Sequence, residues 1–240
     1  QTMKAFIAAQ LQNELIELLD KLVLDNPNSE FSRSPNLQNL LILTAIRAHS
    51  PEHKNRVMNY VRRLDLYLPT EIAPIALDAG LYDEAFEIYN KFKYFNEAMD
   101  VLISRIGDLE RAADYAEKVD QPQVYVLLGR AQLRAENVSN AIASFLKAND
   151  PADYPEVIEA AKKAELFDDL VKFLRMARTK IREPRVDTEL AYALAKNPKF
   201  EAELADFIAS PNVANIQDVG DRCYEEGNYK SARLLYASIN

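Results

Sequence analysis

Two histidines, His49 and His53, bracket Glu52 in the order H-x-x-E-H. Such a string can hold zinc when both imidazoles share one helix face and the glutamate serves as general base. Here Ser50-Pro51 reads as a capping residue followed by the first helical residue, which leaves His49 outside the helix that carries His53. No third ligand is marked elsewhere, so the segment reads as a polar connection between helices. Cys223, the single cysteine, lies between Arg222 and Tyr224. A cation beside a thiol can favour thiolate, but a lone cysteine inside a helical pattern reads more simply as a small buried hydrophobe. Asn137-Val-Ser139 spells a glycosylation sequon and reads instead as the turn before a helix containing Ala141 and Phe145.

One dense basic stretch comprises Lys172, Arg175, Arg178, Lys180, Arg182 and Arg185. It has two readings: cations complementing a helix C-terminus on a solvated face, or a surface that faces an acidic partner. Phe173, Leu174 and Met176, interleaved with it, read as core. Glu84, Glu87, Glu156 and Glu159 read as solvent-facing. The chain has no glycine-rich phosphate loop, no Cys-x-x-Cys pair and no G-x-S-x-G string. The expectation is therefore a protein that is not an enzyme, with no catalytic, cofactor-binding or metal-binding residues and no cofactor.

The elements that carry these residues are helical. Among 240 residues there are only 5 glycines and no tryptophan, too few glycines for the many positive-φ turns of a sandwich or barrel. Acidic residues outnumber basic ones, 37 to 29, for a net charge of −8. That disfavours nucleic acid or an anionic lipid surface as a bulk partner. A single cysteine fits a reducing compartment. Gln1 to Gln10 carries no apolar run of the kind a signal peptide needs, and no stretch approaches the roughly 18 apolar residues of a membrane span. The chain reads as a piece of a longer protein.

Apolar residues recur with helical spacing at Leu11, Leu15, Leu18, Leu19 and Leu22, again at Leu37, Leu40, Leu41, Thr44, Ala45 and Ala48, and again at Val57, Tyr60, Val61 and Leu64. Ser34-Pro35, Ser50-Pro51, Asp150-Pro151 and Ser210-Pro211 read as helix starts, the proline filling the first helical position. The richest loop is Asn26 to Asn36. Pro74 falls too deep for a helix capped by Thr70, so that helix is expected to start late or bend.

One pattern then repeats. From Gly80 the sequence runs Gly-Leu-Tyr82-Asp-Glu-Ala85-Phe-Glu-Ile-Tyr89, and from Gly227 it runs Gly-Asn-Tyr229-Lys-Ser-Ala232-Arg-Leu-Leu-Tyr236. A turn residue is followed by an apolar residue two later, a small one five later and an aromatic nine later. Looser copies begin at Gly107, Glu136, Glu165 and Pro198, with Tyr115 one residue early, Leu170 in the small position and Glu203 out of pattern. The steps of 27, 29, 29, 33 and 29 leave room for two short helices and two turns per repeat. Such a pair buries its faces only by stacking on its neighbours, which predicts an all-α solenoid. It is read as a single array over 1–240. Residues 1–79 are the end of one repeat group with its linker helices, 80–226 the central layers, and 227–240 the start of a further layer.

Longer strings carry a family likeness. Asn13-Glu-Leu-Ile-Glu-Leu-Leu19, Asn36-Leu-Gln-Asn-Leu-Leu-Ile-Leu-Thr-Ala45, Arg56-Val-Met-Asn-Tyr60, Lys172-Phe-Leu-Arg-Met-Ala-Arg178, Thr188-Glu-Leu190 with Ala193-Leu-Ala-Lys196, and Val219-Gly-Asp-Arg-Cys-Tyr224 resemble the clathrin heavy-chain family. The Asn26–Asn36 and His49–Asn55 loops look longer than that family's turns. The resemblance implies a right-handed α-α superhelix of short antiparallel helix pairs and a structural role in the coat of vesicles and pits, serving intracellular protein transport and endocytosis. It implies a segment of the distal leg toward the knee. The implied partners are other heavy-chain legs and, in the full-length protein, the clathrin light chain, bound mostly outside this segment. No nucleic acid and no membrane insertion are implied, and the location is cytoplasmic, peripheral on coated vesicles and coated pits. Two rivals are a helical-repeat subunit of another coat or tethering complex and a peptide-binding tetratricopeptide scaffold. A step near 29 where the latter uses 34, and the missing W-x-x-L-G pattern, count against it.

Overall fold

A computed structural model describes residues 11–25, 29–48 and 51–239. They form fifteen α-helices and no strand. In order these are α1 (Gln12–Leu24), α2 (Pro35–Ile46), α3 (Pro51–Arg63), α4 (Pro69–Asp78), α5 (Tyr82–Lys91), α6 (Phe95–Asp100), α7 (Leu109–Val119), α8 (Pro122–Arg134), α9 (Val138–Ala148), α10 (Tyr154–Lys163), α11 (Phe167–Lys180), α12 (Pro184–Lys196), α13 (Glu201–Ala209), α14 (Ile216–Glu225) and α15 (Tyr229–Ala237). A π-helical turn, Val101–Ile106, continues α6, and a 3₁₀ turn, Pro198–Phe200, precedes α13. The chain divides into two compact units, 1–112 and 113–240.

Within the first unit α2 packs on α1, α3 and α4, and α5 on α3, α4 and α6. Within the second, α9 packs on α8, α10 and α11, and α12 on α11, α13 and α14. A helix that touches its neighbour and its next neighbour but one is the arrangement of a solenoid of helix pairs. The core of the first unit is continuous from Leu15 to Ile88 through Leu41, Ile42, Val57, Tyr60 and Ile72.

The turn residues of the repeat have a conformational cause. Gly80, Gly107 and Gly227 lie at φ 75°, 75° and 78°, and Glu136 and Glu165 adopt the same left-handed conformation at 57°. After four of these residues the next N–H closes on a carbonyl five positions back: Leu81 on Ala76, Asn137 on Gln132, Leu166 on Ala161 and Asn228 on Cys223, at 2.8–2.9 Å. This is the ending that a left-handed residue makes possible. Two residues on, at Tyr82, Leu109, Val138, Phe167 and Tyr229, the next helix begins. Five residues on, Ala85, Ala112, Ala141 and Leu170 have no exposed surface and Ala232 very little. Pro198 cannot adopt positive φ, and that copy uses the 3₁₀ turn, with the Asn197 side chain accepting from the Lys199 N–H.

Several sequence expectations shift. Pro35 and Pro51 do open helices, and so do Pro69, Pro122 and Pro184, which were not singled out. Asp150-Pro151 opens none: Asp150 accepts the Ala152 N–H at 2.7 Å, forming a side-chain turn, and α10 begins at Tyr154. Ser210 closes α13, its hydroxyl donating to the Asp206 carbonyl at 2.7 Å, and α14 starts only at Ile216. The Ser34 hydroxyl makes no cap bond. Pro74 lies inside α4, which starts early, at Pro69. The carbonyl of Thr70 loses its usual helical donor there, and Thr70 is exposed to water that can replace it. Residues 51–55 belong to α3, so the His49–Asn55 segment is mostly helix. In α1 the buried face is Leu15, Ile16, Leu19 and Val23, while Leu18 and the preceding Leu11 are exposed.

Candidate functional site: ties between layers

The side chains with the most partners bind one layer of helices to the next. Lys91, near the end of α5, donates to the carbonyls of Val61, Arg62 and Leu64 at 3.0, 2.9 and 2.7 Å and pairs with Asp65 at 2.6 Å. It supplies the donors that the C-terminus of α3 lacks. Arg111 reaches Asp83 at 2.9 Å, Lys147 reaches Glu117 at 2.8 Å, and Arg185 reaches Glu159 at 2.7 Å. Exposed pairs of this kind contribute little energy singly. Placed one layer apart in sequence, they fix register.

The densest node centres on α12. Glu189, 8% exposed, accepts two bonds from Arg222 at 3.0 and 3.2 Å and faces Lys162 at 3.4 Å. The Arg222 guanidinium lies 3.7 Å from the centre of the Tyr192 ring, within cation–π range. The Tyr192 hydroxyl donates to Glu226 at 2.6 Å, and Lys196 donates to the other oxygen of Glu226 at 2.9 Å. Phe167 meets Tyr192 edge-on at 5.9 Å. Residues of α10, α11, α12 and α14 thus share one network. Burial alone would raise the Glu226 carboxyl, but the bonds from Tyr192 and Lys196 outweigh it and hold it below the usual range.

Two clamps of the same design stand on α2 and α12. Gln38 accepts the Leu66 N–H and Asn39 the Leu68 N–H, both at 2.8 Å. Asp187 accepts the Val213 N–H and the Thr188 hydroxyl the Asn215 N–H, both at 2.9 Å. In each case two adjacent polar residues, buried on a helix that begins with proline, take alternate N–H groups of an incoming loop. The second N–H belongs to the residue that caps the next helix, Leu68 for α4 and Asn215 for α14. Gln38 and Asp187 are 149 positions apart. Gly80 and Gly227, the two copies that match best, are 147 apart. The clamp and the closely matched turn thus recur at nearly the same long spacing, beyond the small step of about 29 residues. The strings Asn36–Ala45 and Thr188–Leu190 carry parts of both clamps.

The structure places the residues singled out above as follows. In the basic stretch Lys172 pairs with Asp169 at 2.8 Å and Arg175 with Glu203. Arg178 pairs with Asp187 at 2.9 Å, donates to the Pro211 carbonyl at 2.8 Å and lies over Phe207. Arg185 holds Glu159. Lys180 and Arg182 are exposed and have no hydrogen-bonding or ionic partner among the described residues. Cys223 is fully buried, and burial pushes its thiol up to about 11. Asn137 precedes α9, and Ser139 donates to Asp169 at 2.8 Å. Glu156 and Glu159 are exposed, whereas Glu84 and Glu87 are half-buried. His49 lies outside the described residues. Among those described, no group of three or more His, Cys, Asp or Glu is placed to hold a metal ion, and no helix is long and apolar enough to cross a membrane.

The clamps, the ties and the left-handed turns define a class: an all-α solenoid of short helix pairs locked layer to layer by side chains. A family model described as a region in clathrin and VPS matches residues 1–139 and again 145–240. The chain is 53% identical over 100% of its length to a clathrin heavy chain of Dictyostelium discoideum, and 51% identical over 100% to clathrin heavy chain 2 of Homo sapiens. It is 47% identical over 99% of its length to clathrin heavy chain 1 of Arabidopsis thaliana. In each case it spans 14% of the relative. The chain belongs to the clathrin heavy-chain family, and the two matched stretches each contain one clamp.

Proposed function

We propose that this chain is a structural strut of the clathrin coat: a stretch of heavy-chain leg that packs with neighbouring legs in the lattice of coated pits and vesicles. The observation that carries this reading is identity to clathrin heavy chains along the whole chain, joined to a geometry that invests its buried polar groups in holding layers together. Hydrogen-bonded ties between successive layers resist shear, so load applied at one layer passes to the next. Side-to-side contacts between legs, weak singly and many at once, would make assembly both firm and reversible. The partners are other heavy-chain legs and, in the full-length protein, a light chain bound mostly outside this segment. The place of action is the cytoplasmic face of coated membranes, with no enzymatic activity. Lys172, Arg175, Arg178, Lys180, Arg182 and Arg185 form a partner-facing surface in this reading. Lys180 and Arg182 supply its available charge.

The test is replacement of the matching residues of a full-length heavy chain by this segment, followed by assembly and sedimentation. Closed cages of the host's normal size are expected. Chimeric chains that fail to sediment under conditions that assemble the unmodified chain would overturn the reading.

A further inference from the structure

Ser210 ends α13 with an exposed side chain and extended backbone, φ −93° and ψ 157°, and Pro211 follows it. Residues 211–215 lie outside any helix. The serine shares a cleft with Arg175, Arg178 and Thr179. An adjoining cleft, walled by Arg178, Asp187 and Pro211, contains Lys180 and Arg182. By contrast Ser34, which also precedes a proline, is half-buried at the start of α2.

We propose that Ser210 is a phosphoacceptor for a proline-directed protein kinase, and that its phosphate turns onto Lys180 and Arg182 and closes the basic stretch to acidic partners. The closing effect rests on the reading of that stretch as partner-facing. In the transfer, the Ser210 oxygen attacks the γ-phosphorus of ATP. The new O–P bond forms as the bond from that phosphorus to the β–γ bridging oxygen breaks, ADP leaves, and the hydroxyl proton passes to the kinase's catalytic carboxylate.

Electrostatics then sets the direction of the phosphate. Ser210 Oγ donates to the Asp206 carbonyl, a bond that phosphorylation removes. A near-dianion at the C-terminus of α13 is repelled by the helix dipole and by Asp206. Arg175, in the serine's own cleft, is held by Glu203, and Arg178 by Asp187 and the Pro211 carbonyl. Lys180 and Arg182 are the cations left to receive it, through charge-assisted bonds. The last turn of α13, where Asn212 caps the carbonyls of Phe207 and Ser210, must loosen for the kinase to engage.

The test treats the full chain with a proline-directed kinase and ATP, maps the phosphate by mass spectrometry, and titrates it by phosphorus NMR. Phosphate on Ser210, absent from Ser210→Ala, is expected, with its second ionisation below that of a free phosphoserine peptide. That shift should vanish in Lys180→Gln/Arg182→Gln. Binding of a polyglutamate peptide should weaken by about tenfold on phosphorylation. No phosphate on Ser210, or a titration matching the free peptide, would overturn the proposal. If the unmodified chain fails to bind polyglutamate, the partner-facing reading and the closing effect fall. The phosphate shift still reports on capture by the two cations, so the two failures are told apart.

Discussion

The ring of Phe145 closes over Gly129 so tightly that a β-carbon built on the glycine would stand 3.1 Å from the ring. Gly220 and Tyr236 repeat the relationship three layers later, at 2.9 Å. The two differ in what the ring can do. Phe145 is 1% exposed and meets Phe173 edge-on at 6.2 Å, whereas Tyr236 is half-exposed. Gly129→Ala is therefore expected to destabilise the protein by about 1 kcal/mol, because overpacking of about 1–3 kcal/mol exceeds the gain of about 1 kcal/mol in helix propensity. Gly220→Ala is expected to cost less than Gly129→Ala, because Tyr236 is only half-buried and can yield, at the expense of its hydroxyl bond to Asp221. Urea midpoints for both variants, and for Gly129→Ala/Phe145→Leu as rescue, check this.

The clamps make a second prediction. Asp187→Ala strands both the Val213 N–H and Arg178, and should cost about 3 kcal/mol. Asp187→Asn keeps an acceptor for Val213 and should cost distinctly less. Asn39→Ala, which strands only the Leu68 N–H and the Asn39 bond to Glu71, should cost about 1–3 kcal/mol. Amide exchange at Leu68 and Val213 reports each loss locally. Unchanged exchange in these variants would remove the clamp from the account.

Glu136 and Glu165 hold a conformation that favours glycine. Glycine at either site should stabilise by about 0.5–1 kcal/mol by relieving left-handed strain. The ion pair that Glu136 makes with Lys163 is wholly at the surface, both side chains 79% exposed, so its loss should subtract little. A rise in thermal midpoint for each single variant, additive in the pair, is the expected result. A fall would mean that strain is not what these positions bear.

Acid should act on Glu226. Its carboxyl titrates below the usual range because the bonds from Tyr192 and Lys196 outweigh its burial. A carboxyl depressed in the folded state contributes stability above its unfolded value and loses it as pH falls through the folded value. The stability gap between the wild type and Glu226→Gln should therefore be constant from neutral pH to about 5 and close below about pH 4. A gap that opens toward acid would contradict the sign.

Much of the fold is legible in the residues because local chemistry forces it. Glycine at 80, 107 and 227 announces left-handed turns, and alanine five residues on announces a close helix approach. The ties were not legible, for a physical reason: Lys91, Gln38 and Asp187 find partners about a layer away, and nothing in their own neighbourhood marks them as anything but polar residues on a helix. Two signals point to the packing and periodicity around them. Gly129 and Gly220 sit inside helical patterns, where glycine costs stability, and both lie opposite an aromatic ring. The close match between the Gly80 and Gly227 copies, across looser ones, marks the longer spacing. Asp150-Pro151 and Ser210-Pro211 misled because a capping side chain before proline builds a free turn as readily as a helix start.

The spacing of the ties has a consequence for how the molecule is made. Lys91 looks back to Val61, Arg111 to Asp83, Arg222 to Glu189 and Asn228 to Ala195. Each ordered element finds its anchor in chain synthesised only moments earlier. A nascent polypeptide leaving the ribosome can thus complete one layer before the next has emerged, since none of these ties waits for a distant segment. A very long heavy chain assembled this way never has to expose more than a layer or so of apolar surface at its growing end.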